Sequence, residues 1–418
     1  MYSVSTRRMS KHMFAPPDGV FALTRASRKK VCITTDMYSF GYKDPEGLRM
    51  VDIAIVQGPT HPNSFQLVAE MHPDAAGKPL RVGEAPDWPV ASDEVKLRTR
   101  AMAINPVDVY TWKTGMRVKD WPVILGLDVV GEIVEIGSAV TGFNNGDRVA
   151  AAVPSIFLGE GPKGGGYQSN PVTPAIRLIK LPDTWSSQDS SALPSGMGTA
   201  AAALFIDDFL GLSYPKVPAA KNNGKVLLVW GGSAITGACA IQLAVQAGYE
   251  VIATASPHNF AFVKSLGAAK VFDYKESNTI DDIVAYLKGR EKDYVGAFDA
   301  VPPRSGPVPA AYIASKLGLT NSIVMTTFPL QSKEGQPDGV EVIGFSGNLI
   351  TVNEFFGKKG HPEVAEEIFG KWLPAAMKAE TLKRLPVTIV GDGLETIAKA
   401  MDILSEGVSA QKLVVILS

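Results

Sequence analysis

The stretch Lys225–Leu243 reads KVLLVWGGSAITGACAIQL. An apolar run passes straight into a glycine-containing turn and then into a helical pattern. Gly231 and Gly232 allow a tight turn with close backbone approach, and Gly237 lets the helix pack near the strand. The first N–H groups of such a helix lack intrahelical partners and face whatever the turn holds. The chemistry is anion binding, as for the pyrophosphate of a dinucleotide. Ser233, Ile235 and Thr236 complete the turn. The pattern is not G-x-G-x-x-G, because Ala234 and Ile235 stand where glycines are more usual. Taken alone it is also compatible with a plain strand–turn–helix.

The next strand adds a second signal. A site for a dinucleotide with free ribose hydroxyls places Asp or Glu near the end of that strand. Here the strand ends Thr254-Ala255-Ser256-Pro257-His258-Asn259, without an acid. A small hydroxyl residue, an imidazole and an amide suit a 2′-phosphate instead. Lys264 lies about a helix turn further on and could supply positive charge. Tyr274, at the end of the following strand, could supply a hydroxyl. His258 alone could equally be a capping residue in the loop. The combination favours NADPH.

The elements that must position these residues follow from periodicity. Phe65–Glu70 is a plausible strand. Glu94–Ala103 alternates polar and apolar residues, the period of a half-buried strand, and Asn105-Pro106 breaks it. Val129–Ile136 and Arg148–Val153 read as strands separated by the turn FNNGD. Short strands joined by Gly and Pro turns suggest a barrel-like all-β unit. Gly159–Gly166 (GEGPKGGG) reads as a mobile glycine-rich loop. Ser187–Leu204 reads as a helix interrupted at Pro194–Gly198, and Pro215–Gly224 as a linker. Strands at Lys225–Trp230, Val251–Thr254, Lys270–Phe272 and Gly296–Ala300 then alternate with helices at Ala238–Ala247, Asn259–Leu266 and Ile280–Leu287. Such alternation argues for a parallel, doubly wound sheet. Helices at Val364–Lys378 and Leu394–Ser405 and a strand at Lys412–Leu417 close the chain.

Two further elements carry a family resemblance. Gly126–Ile133 (GLDVVGEI) and Val140–Val149 (VTGFNNGDRV) resemble the signature of the medium-chain dehydrogenase/reductase superfamily. Ala103–Asp108 (AINPVD) is similar to its zinc-independent quinone oxidoreductase and enoyl reductase branch. The segment ATASPHN and the GGSAITG turn most resemble fungal secondary-metabolism reductases, including trans-acting enoyl reductases of polyketide synthases and ToxD-like proteins. The resemblance covers about residue 65 to the C-terminus. It implies an α/β protein with a GroES-like β-barrel catalytic domain, residues 65–190 and 345–418, and an inserted Rossmann domain, residues 191–344, that binds NADPH. Residues 1–60 form an extension outside the family pattern.

The resemblance also frames the reaction. Zinc-dependent members use Cys, His and Glu ligands, and zinc prefers N and S donors. This chain has Asn105 and Asp108 near the expected cysteine, and Leu127-Asp128 where a His-Glu pair would sit. The five histidines fall outside these elements. No metal is expected. The reaction implied is hydride transfer to the β-carbon of an enone or enoyl thioester, with protonation at the α-carbon. Tyr110 stands where relatives carry a Tyr or Lys facing the substrate, and Thr199 matches a residue beside the nicotinamide and the acyl carbonyl. Each could instead be a packing residue. Asn105 would orient the loop or the ribose, or simply form the turn before Pro106, and Asp108 shares that ambiguity. Gly165, Gly166 and Tyr167 lie where relatives close over the nicotinamide. Alternatives are a quinone or small-enone reductase, and a non-reducing NADPH-binding cyclase or scaffold. Expected partners are an enone or acyl thioester, the latter presented by a carrier protein of a polyketide synthase. The chain would act as a monomer or homodimer.

Composition bounds these readings. The chain has 418 residues, 45% hydrophobic and 20% charged, with 41 basic and 42 acidic residues for a net charge of −1. That balance gives no global pull toward nucleic acid or anionic lipid. Two cysteines, Cys32 and Cys239, exclude a disulfide scaffold and a four-cysteine zinc lobe. They fit a reducing, cytoplasmic setting. The basic, serine-containing first 60 residues leave a mitochondrial presequence open.

Overall fold

The computed structural model describes residues 65–71, 80–116, 118, 121–159, 161–302, 308–327, 335–355 and 357–418. The 1–60 extension, with its presequence reading, lies outside them. The first part of the chain runs β1 (Phe65–Met71), β2 (Arg81–Pro86), β3 (Glu94–Ala103), α1 (Pro106–Thr114), β4 (Val123–Ile124), β5 (Asp128–Ile136), β6 (Arg148–Ala152), α2 (Ser155–Leu158), β7 (Val172–Pro174), β8 (Leu178–Lys180), α3 (Ser187–Ser191) and α4 (Pro194–Phe205). The central part runs β9 (Val226–Trp230), α5 (Ile235–Gln246), β10 (Glu250–Ala255), α6 (Phe260–Ser265), β11 (Lys270–Asp273), α7 (Thr279–Leu287), β12 (Tyr294–Asp299), α8 (Pro309–Lys316), β13 (Ser322–Thr326) and β14 (Val340–Gly344). A small hairpin, β15 (Glu354–Phe355) and β16 (Lys358–Lys359), precedes β17 (Val387–Asp392) and β18 (Lys412–Ile416).

Two large sheets organise these elements. One has seven strands along β17-β18-β3-β5-β6-β8, with β7 paired to β3, and is antiparallel except at β17–β18. The last strand of the chain thus sits against β3 from the first part. The other sheet has six parallel strands in the order β11-β10-β9-β12-β13-β14. Every residue of β9 is buried, as expected for a parallel strand covered on both faces. Strand order reverses at β9, so the loops after β9, β10 and β12 open into the crevice where such sheets bind ligands.

One apolar cluster joins α4 and α5 to β9, β10 and the helical segment Pro362–Lys378, and includes Val130, Ala150 and Val414 of the antiparallel sheet. A second fills the antiparallel sheet, packing Leu97, Met102, Val129 and Val415 beneath Ile397 and Met401. Local chemistry explains two departures from the sequence reading. The expected interruption at Pro194–Gly198 is not one: the break falls at Ala192-Leu193, and Pro194 opens α4. Proline has no N–H to lose at the first helical position. Gly196 sits inside that helix because a Cβ there would lie 2.9 Å from Ile235 and 3.1 Å from the Cys239 Sγ. The second departure is the glycine-rich loop, which is anchored where mobility was expected. Gly164, Gly165 and Gly166 are buried, and a Cβ on Gly165 would meet the Ile124 carbonyl at 2.2 Å. The Gln168 amide donates to the carbonyls of Pro162 and Lys163, both at 3.0 Å, and to that of Gly165.

Candidate active site

The turn after β9 is built for an anion. Gly231 has φ 82°, and its N–H donates to Thr254 Oγ1 at 3.0 Å. Gly232 N–H donates to the Thr254 carbonyl at 2.8 Å, so β10 holds the turn. A Cβ on Gly237 would lie 2.3 Å from the Gly231 carbonyl, which is why the first turn of α5 can close on the strand end. Ala234 precedes α5 and contributes no side-chain cap. The N–H groups of Ile235 and Thr236 therefore have no intrahelical acceptor and suit a pyrophosphate. Ser233, half-buried, completes the turn. These residues fit the dinucleotide that the sequence implied.

The sequence-derived phosphate group separates into two pairs and one outlier. Ser256 Oγ donates to Tyr274 Oη at 3.2 Å. His258 Nε2 and Asn259 Nδ2 both meet Ser409 Oγ at 3.0 Å. Lys264 is exposed in the last turn of α6 and shares no hydrogen bond with either pair among the described residues. Lys275, by contrast, lies 5.9 Å from the Tyr274 ring centroid.

A buried polar cluster occupies the opposite sheet. Asp128, fully buried at the start of β5, accepts from Lys412 Nζ at 2.9 Å and from Asn105 Nδ2 at 2.9 Å through one oxygen. Its other oxygen accepts from the backbone N–H of Ser195 at 2.8 Å. Lys412 Nζ also donates to Asn105 Oδ1. The Asn105 side chain is thus held between a carboxylate and an ammonium. Asp108, inside the first turn of α1, accepts from Asn105 N–H at 2.9 Å and Tyr167 Oη–H at 3.0 Å. Burial pushes its carboxyl up to about 7, partly offset by those two donors. Its second oxygen is buried without a hydrogen-bond partner. Tyr167 itself is fully buried, and its hydroxyl is spent on Asp108.

Two candidate reacting residues border this cluster. Thr199 is half-buried on α4, one helical turn beyond Ser195, so the Asp128–Ser195 bond fixes the helix that carries it. A Cβ on Gly347 would lie 2.6 Å from Thr199 Oγ1; only glycine lets that backbone approach the hydroxyl so closely. Tyr110 lies on α1 and is 37% exposed, whereas Asp108 two residues earlier is buried.

Against known proteins, residues 91–183 match the alcohol dehydrogenase GroES-like domain. Dehydrogenase azaJ of Aspergillus niger is 34% identical over 341 residues, covering 81% of this chain and 95% of that protein. The chain belongs to the medium-chain dehydrogenase/reductase superfamily. Trans-enoyl reductase himH of Aspergillus japonicus is 32% identical, with 84% and 97% covered. The solved CurK enoyl reductase shares the fold at a TM-score of 0.63 and 16% identity, covering 85% of this chain and 99% of that one.

The superfamily is one of oxidoreductases that use a nicotinamide cofactor, and the glycine turn at Gly231–Gly237 sits where this medium-chain reductase would hold it. Sequence reasoning missed four site residues. Lys412 was signalled only as a lone cation opening the apolar strand KLVVI. Ser195 acts through its backbone. Gly347 and Ser409 had no local signal, because each matters through a partner distant in sequence.

Proposed function

We propose that this medium-chain reductase is an NADPH-dependent, zinc-independent ene reductase acting on an enone or enoyl thioester. The observation that carries the reading is Lys412. Of the residues at positions compared with zinc ligands, Asn105 and Asp128 each already give one oxygen to its ammonium group, Asp108 accepts from Asn105 N–H and Tyr167 Oη–H, and Leu127 has no donor atom to offer. An amide, a carboxylate and a resident cation are a poor donor set for zinc, which prefers N and S ligands. Without a Lewis acid, an isolated alkoxide is hard to stabilise. A conjugated acceptor needs less help, because its charge spreads into an enolate.

The bound nicotinamide supplies the hydride that goes to the β-carbon. Gly231, Gly232, Ser233, Ile235, Thr236 and Gly237 hold the pyrophosphate. Ser256, His258, Asn259 and Tyr274 read the 2′-phosphate, with Lys264 or Lys275 contributing charge. Thr199 Oγ1 donates to the carbonyl oxygen that gathers negative charge. Tyr110 Oη delivers the proton to the α-carbon or hydrogen-bonds the enolate. Asn105 positions α1 through the cluster. Relatives named trans-enoyl reductases support a thioester substrate carried by a polyketide synthase in secondary metabolism. The test uses an α,β-unsaturated thioester and deuterium-labelled NADPH. Saturated product with label at the β-carbon is expected. Label at a carbinol carbon, or no NADPH consumption with any conjugated acceptor, would overturn the reading and favour a cyclase or scaffold.

A further inference from the structure

The loop Gly407–Gln411 joins helix Ile397–Glu406 to β18, and so belongs to the antiparallel sheet rather than to the cofactor sheet. Yet Ser409 reaches across to two consecutive residues in the short turn after β10. His258 Nε2 and Asn259 Nδ2 converge on its single hydroxyl, both at 3.0 Å and from about 150 positions earlier in the chain. They lie three and four positions past the end of β10, the strand where the ribose-reading acid is missing. We propose that Ser409 is a positioning residue of the phosphate subsite: it holds His258 and Asn259 in the geometry that selects NADPH, so the catalytic domain takes part in cofactor choice. The proposal rests on the NADPH reading given above.

Hydrogen-bond accounting supports the role. A serine hydroxyl has one proton and two acceptor sites. The Asn259 amide donates to Oγ, which leaves the hydroxyl proton free to donate to His258 Nε2. The imidazole then carries its own proton on Nδ1. If the ring is protonated, Nε2–H donates to Oγ instead, using the second acceptor site. In these two states Nδ1–H is a donor, the polarity a phosphate oxygen requires; the neutral Nε2–H tautomer, which donates to Oγ, would instead present Nδ1 as an acceptor. Asn259 is buried at 8% exposed while Ser409 is exposed. The contact therefore fixes an amide at the edge of the core without filling the core, and removing the hydroxyl leaves no cavity inside the molecule.

The experiment measures Kd for NADP⁺ and NAD⁺ by isothermal titration on the full chain. Wild-type protein should bind NADP⁺ more tightly. Ser409→Ala should lower the NADP⁺/NAD⁺ preference about threefold to tenfold, the loss of roughly one hydrogen bond's worth of positioning. Ser409→Thr keeps the hydroxyl and should restore most of it. A role confined to stability would weaken both cofactors together and leave the ratio unchanged. An unchanged preference in Ser409→Ala, with the wild type still selective, overturns the proposal and leaves the NADPH reading standing. Equal wild-type affinity for the two cofactors overturns both. Loss of preference in Ser409→Thr as well as in Ser409→Ala also counts against it, because the hydroxyl would then not be the cause.

Discussion

The two polar regions of this molecule solve opposite problems. Around Asp128, charge is buried and nearly every donor and acceptor is spent: a carboxylate, an ammonium, an amide and a backbone N–H satisfy one another at 2.8–2.9 Å. Along the rim from Ser256 to Tyr274, hydroxyl, imidazole and amide groups are sparsely bonded, and Tyr274 is 44% exposed. A saturated cluster has little to offer a ligand and is suited to holding helices α1 and α4 in place. A sparse rim contributes little to folding and keeps its donors available. Proximity of polar residues is therefore a poor guide to binding; the unspent hydrogen-bonding capacity is the better one.

The contrast can be broken most sharply at Lys412. Lys412→Met leaves Asp128 buried without its cation, and that should cost about 3–5 kcal/mol of stability, read by denaturant unfolding. Tyr274→Phe on the rim should stay within about 0.5 kcal/mol. Similar costs at both sites would erase the distinction. Next in size is Tyr110→Phe, which should lower kcat at least about 10²-fold if its hydroxyl is the acid, with little change in the melting temperature. Full activity would assign the proton to water.

Asp108 gives a smaller, pH-dependent effect. Its folded carboxyl is raised by burial to about 7 from the ordinary 3.8. The folded state therefore holds a proton that the unfolded state has released between those values. Wild-type stability from this group is complete below about 4 and is lost as pH rises through about 7. Asp108→Asn has no proton to release, and its side-chain oxygen can accept both existing hydrogen bonds. Its stability relative to wild type should climb over that window, by at most about 1.4 kcal/mol per pH unit, and level off above it. A flat difference from pH 4 to 8 would show that Asp108 is ionised throughout. The smallest effect belongs to the rim. Lys275→Ala should weaken NADPH binding about fivefold to tenfold with NADH little changed, as expected for one exposed charge-assisted contact. Lys264→Ala should do less, and the reverse order would return the phosphate contact to α6.

The parallel sheet was legible because β9, β10 and β11 are short apolar runs separated by helical periods, and each pairs only with neighbours of the same kind. The glycine turn was legible because Gly231 needs its left-handed backbone and Gly237 its missing Cβ, both local demands. The strand Lys412–Ile416 was visible from its composition, but the purpose of its first residue was not. Lys412 acquires meaning only beside Asp128, far away in the chain. Asn105 looked like a turn former before proline, and it does precede α1; its side-chain partners lie on β5 and β18. Ser256 and Tyr274 do lie together, because they follow the adjacent strands β10 and β11 and their hydroxyls share a hydrogen bond, whereas Lys264, grouped by sequence distance, stands exposed in the last turn of α6.

Because β18 supplies the cation for Asp128, the order of synthesis leaves the first-formed sheet with an unmet need. β5 leaves the ribosome long before Lys412 is made, and its carboxylate cannot enter the core unpaired at low cost. The parallel sheet, β9 to β14, meets its own buried carboxylate, Asp299, with the Val301 N–H two residues on and can close as soon as its own strands have emerged. The nascent chain is thus expected to carry a finished nucleotide unit beside an antiparallel sheet that stays loose until the last strand arrives and locks it.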